Sequence, residues 1–233
     1  MSKDNCGKYW ICTTLPVVYK PVKVANHPEP IGIDVGIKDI AILSNGIKYE
    51  NRRYKNGIHG EVQIHRRLLD RRLSRRWGWA NIKFRDAHKA DKTIVPSKSY
   101  FRTQQKISRF EQRIMNQRNW ANNNITSDIV RQASMIGIES LSIKNMFRNR
   151  HLANALSDAS MSTILQQIKY KSDWYGVPCH EIARWTPSSK QCSVCGYIKK
   201  DLTLSIRTWI CPICKTHHDR DVNAAKNILK YAM

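Results

Sequence analysis

Two Cys-x-x-Cys pairs near the C-terminal end constrain this chain more than any other feature. Cys192 and Cys195 form the first pair, and Cys211 and Cys214 form the second after a gap of fifteen residues. Four thiolates at this spacing can close a tetrahedral shell around one zinc ion, with Zn–S distances of about 2.3 Å. An iron–sulfur site or two redox pairs are the alternatives. Because a closed four-cysteine site has no open coordination position, we expect it to stabilise a small module rather than to catalyse.

The net charge of the chain indicates what kind of partner it binds. Of its 233 residues, 40 are Lys or Arg and 18 are Asp or Glu, which gives a formal net charge of +22. This surplus predicts a polyanionic partner, most simply nucleic acid, and a merely solubilising charge is the alternative. The seven cysteines are odd in number and no apolar leader precedes them, which disfavours a secreted disulfide framework. No apolar run approaches the about 18 residues of a membrane span, so we expect no membrane partner.

Two matched tetrapeptides supply candidate catalytic acids. Residues 31–34 read Ile-Gly-Ile-Asp, and residues 136–139 read Ile-Gly-Ile-Glu. Because successive side chains of a strand alternate between its faces, the isoleucines would point into a core, and Asp34 and Glu139 would share the other face with a glycine. The glycine leaves space for a backbone or a phosphate to approach. If the two strands are neighbours, the carboxylates converge, whereas either acid taken singly could simply be solvated.

A third acid lies at the start of a predicted helix over 221–231. Its apolar stripe is formed by Val222, Ala225, Ile228 and Leu229. Asp221 stands beside that stripe, where the helix dipole favours negative charge, and Asp219 fits the N-cap position, so capping alone is the alternative for both. Three carboxylates could hold Mg²⁺ or Mn²⁺ together with water and phosphate oxygens. Two such ions about 3.5–4 Å apart support phosphodiester cleavage.

The segment from 52 to 118 is strongly basic, and its apolar residues recur at helical spacing. We expect two helices joined by a loop near 93–98. Such density of positive charge suits a track of phosphates. The candidate nucleic-acid contacts are Arg66, Arg67, Arg71, Arg72, Arg75, Arg76, Lys106 and Arg113. Nearby aromatic residues could stack on unpaired bases or pack a helical hairpin, namely Trp77, Trp79, Tyr100, Phe101 and Trp120.

The remaining patterns predict a mixture of strands and helices. Asn45-Gly46 is typical of a hairpin turn between antiparallel strands. The apolar period over 161–175 predicts a helix that Gly176 ends. His27-Pro-Glu-Pro30 is interpreted as a linker because proline disrupts regular structure. The predicted strands are short ones within 8–23, the hairpin strands at 39–44 and 47–50, and two further strands at 134–139 and 177–183.

Five sequence motifs include these candidate residues: Ile31-Gly-Ile-Asp-Val-Gly-Ile-Lys-Asp39, Gly137-Ile-Glu-Ser-Leu141 with Lys144-Asn-Met146, Ser188-Ser-Lys-x-Cys-Ser-x-Cys-Gly196, Leu204-Ser-x-Arg-x-Trp-x-Cys211 and Asp219-Arg-Asp-Val-Asn-Ala-Ala-Lys-Asn-Ile228. Together these motifs resemble the TnpB family of transposon-encoded, RNA-guided DNA endonucleases, which is similar to compact type V CRISPR effectors. The resemblance implies an α/β fold of the RNase H-like (RuvC) type, with a mixed sheet, a basic helical insertion and a small zinc-ribbon insertion.

The resemblance also implies which residues act. Asp34, Glu139 and Asp221 would be the catalytic acids and would hold Mg²⁺ or Mn²⁺. Cys192, Cys195, Cys211 and Cys214 would hold one structural Zn²⁺. The implied partners are DNA, a guide RNA from the transposon end and, as a further one, a second protein chain. We expect a cytoplasmic, nucleoid-associated protein of a prokaryotic host that cuts DNA by two-metal hydrolysis.

By the same resemblance the chain divides into four parts. Residues 1–30 would be a remnant of N-terminal wedge strands with a linker, 31–187 a RuvC domain with a basic helical insertion at about 56–123, 188–216 a zinc ribbon, and 217–233 the last RuvC helix. Family members usually carry a long guide-binding region before the first RuvC strand, and here about thirty residues precede Asp34. A non-cutting binding module that competes with a full-length protein is therefore one alternative, and a transposase is another. Lys215 stands where the family commonly has glycine.

Overall fold

The structure is a computed structural model that describes residues 1–4, 6–14, 16, 28–54, 63–65, 67, 68, 71, 98–141, 146, 150–203 and 205–233. The chain divides into two compact units. Unit 1 comprises Met1–Val17 and Arg53–Trp120, and unit 2 comprises Val18–Arg52 and Ala121–Met233. Among the described residues, no helix combines the length and the apolar character needed to cross a bilayer.

The helices and strands follow one another along the chain with these bounds: β1 Ser2–Lys3, β2 Tyr9–Trp10, β3 Glu29–Asp34, β4 Asp39–Leu43, β5 Lys48–Glu50, α1 Lys98–Gln132, β6 Ala133–Glu139, α2 Arg150–Ala159, α3 Met161–Tyr175, β7 Cys179–Ile182, β8 Thr208–Ile210, β9 His217–Asp219 and α4 Arg220–Ala232. In unit 1, β1 and β2 form a small antiparallel pair. The predicted strand region 8–23 thus contains β2, and residues 17–27 lie outside the described residues.

Unit 2 is built around a mixed five-stranded sheet in the order β5-β4-β3-β6-β7. β3 pairs with β4 in the antiparallel sense, and β4 pairs with β5 through the predicted hairpin at Asn45-Gly46. On its other side β3 pairs in parallel with β6, which in turn pairs in parallel with β7. The mixed α/β sheet predicted from the sequence is therefore confirmed.

The linker predicted at His27-Pro-Glu-Pro30 was wrong for its last two residues, since β3 already begins at Glu29. The register between β3 and β6 shifts between Glu29 and Pro30. A proline is tolerated at the start of a strand or beside a bulge, because no ladder hydrogen bond is required from its nitrogen there. The tertiary pairing thus overrides the local preference of the two prolines.

One face of the sheet forms the main apolar core. Ile33 and Ile138 have no exposed surface and pack with Ile164 and Ile168 of α3. The isoleucines of both tetrapeptides therefore point inward, as predicted. The helix over 161–175 is confirmed with those bounds, and Gly176 ends it in the left-handed region at φ 68°, where its N–H donates to the Asp173 carbonyl.

The opposite face of the sheet receives α4. A Cβ at Gly32 would lie 2.0 Å from the Ala225 carbonyl oxygen, and one at Gly137 would lie 2.7 Å from the Ala232 Cβ. Both glycines thus permit the helix to lie directly on the sheet. Of the two uses predicted for this space, a backbone takes it rather than a phosphate.

Two helical features were not predicted. α1 continues past the basic segment to Gln132, and α2 was missed altogether. Within unit 2, a buried lysine on α3 holds the last part of α1: Lys171 Nζ donates to the Asn123 carbonyl at 2.7 Å, to Thr126 Oγ1 at 2.7 Å and to Ser127 Oγ at 2.9 Å. Burial lowers the pKa of Lys171, and these three acceptors compensate for its lost hydration.

Candidate functional site

Three acidic residues lie at one edge of the unit 2 sheet, although among the described residues only the four cysteines considered below bring their potential ligand atoms, as a group, within 4.8 Å of one another. Gly32 lies opposite Gly137, and Ile33 lies opposite Ile138, in the parallel pairing of β3 with β6. Asp34 and Glu139 therefore end neighbouring strands at the same edge. Asp221 reaches this edge from the first turn of α4. We call these three residues the acidic edge.

The other two acids of the acidic edge act on Asp34. Burial, followed by the charges of Glu139 and Asp221, raises the pKa of Asp34 to about 8, and Arg220 opposes this shift. Burial also raises the pKa of Glu139. Like charges held together in a partly desolvated place favour either a proton or a bound cation. An oxygen-only donor set of this kind fits a hard divalent ion such as Mg²⁺ or Mn²⁺.

The start of α4 is fixed by a cap and an ion pair. Asp219 accepts hydrogen bonds from the backbone N–H groups of Asp221 and Val222 at 3.0 and 3.1 Å, so the predicted N-cap is confirmed. Lys48 Nζ on β5 lies 2.6 Å from Asp219 Oδ2. Although partial burial acts to raise it, the pKa of Asp219 lies below its usual value because Lys48 and these amides stabilise the carboxylate. The hairpin and the cap together set the position of Asp221.

Arg207 is a site residue to which sequence analysis gave no role. Its Nη1 lies 3.4 Å from both carboxylate oxygens of Asp221. The residue was visible in the motif that leads to Cys211, but that spacing alone says nothing about which acid it would meet. The folded ribbon brings Arg207 to the acidic edge, where it adds positive charge and orients Asp221.

The four cysteines of the two pairs form one cluster. Their sulfur atoms all lie within 4.8 Å of one another, with Cys192 to Cys214 at 3.6 Å and Cys195 to Cys211 at 3.5 Å. This group, called the cysteine cluster below, could hold a metal ion such as zinc because thiolates at these separations can share one tetrahedral ion.

Each half of the cysteine cluster is shaped by a turn with a left-handed residue. Gly196, at φ 79°, donates its N–H to the Cys192 carbonyl at 2.9 Å. Lys215, at φ 58°, donates its N–H to the Cys211 carbonyl at 3.0 Å. The lysine therefore occupies the conformation that glycine adopts most easily.

His218 is a second residue that sequence analysis missed. Its Nε2 lies 3.1 Å from the Cys192 sulfur, and its ring lies against Trp209 at 4.7 Å between centroids. Burial lowers the pKa of His218, which keeps the ring neutral at physiological pH. A neutral imidazole with its proton on Nε2 can donate to a thiolate, so this contact can support a metal-ligating Cys192.

The predicted nucleic-acid contacts lie in unit 1, and the structure describes part of them. The side chains of Arg67, Arg71, Lys106 and Arg113 are exposed. Arg113 also lines a cleft of about 660 Å³ together with Lys8 and Arg109. Phe101 and Trp120 are 52% and 65% exposed, which is compatible with stacking and does not support their role as core contacts. Outside the described residues lie Arg66, Arg72, Arg75, Arg76, Trp77, Trp79 and the side chain of Tyr100.

Comparison with protein families identifies the class to which the chain belongs. Residues 11–150 match the family model described as "Probable transposase" (OrfB_IS605), and residues 162–228 match the model described as "Cas12f1-like, TNB domain". The chain belongs to this transposon-associated family, and the TnpB resemblance is confirmed.

Individual relatives agree with this membership. The chain is 31% identical over 229 residues to a "Putative RNA-guided DNA endonuclease" of Streptomyces pristinaespiralis, covering 98% of this chain and 51% of the relative. It is 28% identical over 248 residues to the "Putative RNA-guided DNA endonuclease InsQ" of Escherichia coli strain K12, covering 97% and 54%. The chain thus spans about half the length of these curated relatives.

A solved structure supports the fold. The cryo-EM structure of a Cas12f1–sgRNA–target DNA complex matches 88% of this chain and 51% of that chain, with a TM-score of 0.52 and 19% sequence identity. This similarity establishes a shared architecture, in agreement with the RuvC-like α/β fold predicted from the sequence.

Proposed function

We propose that this chain carries the nuclease centre of an RNA-guided DNA endonuclease that cuts DNA by metal-assisted hydrolysis of a phosphodiester bond. The observation that supports this most directly is the parallel register that places Asp34 and Glu139 at the ends of neighbouring strands, with the charge of Asp221 also acting on Asp34. A partly buried cluster of carboxylates is costly to maintain without a cation. Binding of a divalent cation would offset the free-energy cost of holding these carboxylates together.

The three acids would act as the ligands of one or two Mg²⁺ or Mn²⁺ ions. Such ions, when bound, activate a water molecule and stabilise the leaving oxygen of the phosphodiester. Asp34 and Glu139 are fixed by the β3–β6 pairing, so they form the rigid part of the ligand set. Asp221 comes from a separate element, and its position depends on the cap at Asp219.

Arg207 would have two roles at this centre. It holds Asp221 through contacts of 3.4 Å to both carboxylate oxygens, and its side chain remains accessible. A guanidinium in this position can also neutralise a phosphate of the substrate, because its planar donors match phosphate geometry. The cysteine cluster would hold one structural Zn²⁺ and thereby keep Arg207 near the acidic edge.

We further propose that the basic segment of unit 1 follows the backbone of a guide RNA or of target DNA. The exposed Arg67, Arg71, Lys106 and Arg113 support this assignment. The guide would come from the transposon end, and a second protein chain could complete the guide-binding surface. The four-part domain division and the nucleoid-associated location given above belong to the same proposal.

The test begins with the full chain expressed together with the flanking transposon end. Sequencing of co-purified RNA would identify the guide, and Mg²⁺-dependent cutting would then be measured on matching DNA. We expect Asp34→Asn and Asp221→Asn to reduce cutting by about a thousandfold or more while leaving nucleic-acid binding intact. Asp173→Asn removes the same charge from an exposed site on α3 and serves as the matched control.

The outcomes separate the candidate functions. Guided cutting that survives both substitutions would refute the assignment of the acidic edge. Retention of RNA or DNA without any cutting would favour the non-cutting binding module. Joined DNA ends in a transposition assay would favour the transposase.

A further inference from the structure

The loop that follows β7 exposes a tryptophan that the proposed chemistry does not use. Trp185 is 85% exposed, the highest value for a tryptophan among the residues that the structure describes. A single exposed apolar side chain is common on protein surfaces, so the surroundings of this ring decide whether it has a function. The position of the ring and the charges near it indicate which ligand it could bind.

Trp185 lies just beyond the end of β7, the last strand of the sheet. Ile182, the last residue of β7, pairs with Glu139 in the parallel ladder. Trp185 follows three residues later, so its loop begins at the same end of the strands as the acidic edge. A polymer bound across the three carboxylates would therefore pass close to this loop.

The loop that presents Trp185 is held in place. The Thr186 N–H donates to the Ala183 carbonyl at 3.1 Å, which closes a turn around the tryptophan. The buried Asn227 of α4 donates to the Ser188 carbonyl at 2.7 Å and fixes the end of the loop. Because the backbone is already ordered, a ligand that binds the ring pays little additional conformational entropy.

The positive charge beside the Trp185 ring favours a ligand that carries both aromatic groups and negative charge. The Arg184 guanidinium lies 5.0 Å from the centroid of the Trp185 ring. The acid Glu181, three residues before Arg184, is paired with Lys169 at 2.6 Å. A π-surface beside a guanidinium is an arrangement that binds unpaired bases together with their phosphates.

We propose that Trp185 and Arg184 form a stacking platform for an unpaired base of the single strand that enters the acidic edge. Every base has a π-face, so the platform is tolerant of sequence and selects unpaired over paired bases. This inference rests on the proposed function, since it assumes that a single strand binds at the acidic edge. It makes Trp185 a strand-binding residue and leaves the chemistry to the carboxylates.

The test uses the full chain carrying Asp34→Asn, so that no cutting occurs, and a short fluorescein-labelled oligodeoxythymidine. We expect Trp185→Ala to raise the Kd for this single strand about 5- to 150-fold, the range found when one stacked base loses its aromatic partner. Trp185→Phe should keep most of the affinity. Trp174→Ala is the matched control, because Trp174 is also exposed, at 42%, but lies on α3 beside Tyr170.

The salt dependence separates stacking from charge. Trp185→Ala should leave the slope of log Kd against log salt unchanged, because it removes no phosphate contact. Arg184→Gln should reduce that slope by about one. A Trp185→Ala protein that binds as tightly as the Trp174→Ala control would overturn the inference, and the exposed ring would then point to a protein partner. Failure of the parent chain to bind single strands would overturn it equally.

Failure of this inference can be distinguished from failure of the proposed function. Asp34-dependent cutting with unchanged single-strand affinity in Trp185→Ala would reject the platform and keep the nuclease. A Trp185-dependent affinity without any Asp34-dependent cutting would keep the platform and reject the nuclease.

Discussion

The acidic edge and the cysteine cluster are two candidate metal sites in one unit, yet they are positioned by different forces. The acidic edge stands on strands whose inward residues, such as Ile33 and Ile138, have no exposed surface. The cysteine cluster rests on a small core in which Leu202 and Trp209 join the cysteines themselves. Packing therefore positions the strands that carry the acidic edge without any ion, whereas under the proposed function the cysteine cluster would depend on a bound ion for much of its stability.

The difference can be tested first by removing the zinc ion proposed for the cysteine cluster. Structural zinc contributes about 10–16 kcal/mol in zinc-finger peptides, so chelation or Cys192→Ser should unfold the ribbon. In hydrogen exchange, the amides of Cys192 and Cys211, which bond to Tyr197 and Thr216, should lose protection. The amides of the β3–β6 ladder should keep theirs.

Cys12→Ser is the control for this experiment, since Cys12 is exposed and lies outside the cluster. Equal loss of protection in the ribbon and in the central strands would show that the sheet also depends on the metal, and the contrast drawn above would fail.

The acidic edge should instead be sensitive to packing. Gly32→Ala would place a Cβ 2.0 Å from the backbone oxygen of Ala225, which cannot move aside without shifting α4. We expect a loss of more than about 3 kcal/mol in the free energy of unfolding, measured by urea denaturation. Gly137→Ala should cost less, because its nearest contact is the Ala232 side chain at 2.7 Å.

A compensating substitution sharpens this prediction. Adding Ala232→Gly to Gly137→Ala should recover part of the lost stability, because it removes the contacting methyl group. The same second substitution should not help Gly32→Ala. Equal costs for the two glycines would contradict the reported difference between a backbone and a side-chain contact.

The acidic edge should also make stability depend on pH when Mg²⁺ and Mn²⁺ are absent. The folded pKa of Asp34 is about 8 and lies above its ordinary value. The folded state therefore holds a proton that the unfolded state releases. Stability should be greatest below about pH 4 for this group and fall by up to about 1.4 kcal/mol per pH unit until about pH 8.

Asp34→Asn should remove this fall, so that the variant is more stable than the parent chain at the alkaline end of a urea-denaturation series. Millimolar Mg²⁺ should restore stability to the parent chain and not to the variant. Parallel stability curves for the two proteins would show that burial and the neighbouring charges do not raise the pKa of Asp34 as described.

The smallest expected effect concerns the support of Cys192 by His218. His218→Ala should weaken zinc affinity by about 10- to 100-fold, the usual cost of losing a hydrogen bond to a metal ligand. The measurement is a competition titration against a chromophoric zinc chelator. His217→Ala, an exposed neighbour on the same strand, should have no effect. Equal zinc affinities for the two variants would show that the 3.1 Å contact between His218 and Cys192 is a packing contact without effect on the metal.

Local patterns predicted the regular parts of unit 2 well. The Asn45-Gly46 hairpin, the helix ended by Gly176 and the alternation around Asp34 each depend on a short window of residues. The helix α2 and the extension of α1 to Gln132 were missed; their buried residues, among them Ile129 and Leu156, pack in the core with residues of distant elements. Arg207 and His218 were missed for the same reason, since a sequence motif does not tell which side chain an exposed arginine or a histidine will meet.

The sequence by itself determined the chemical inventory: four cysteines at metal-binding spacing, three acids on separate elements and a large positive charge. The tertiary structure decided how these parts are arranged. It paired β3 with β6 in parallel, laid α4 across their glycines and brought Arg207 to Asp221. The physical reason is that strand order and helix packing depend on burying apolar surface across the whole unit, and no local window contains that information.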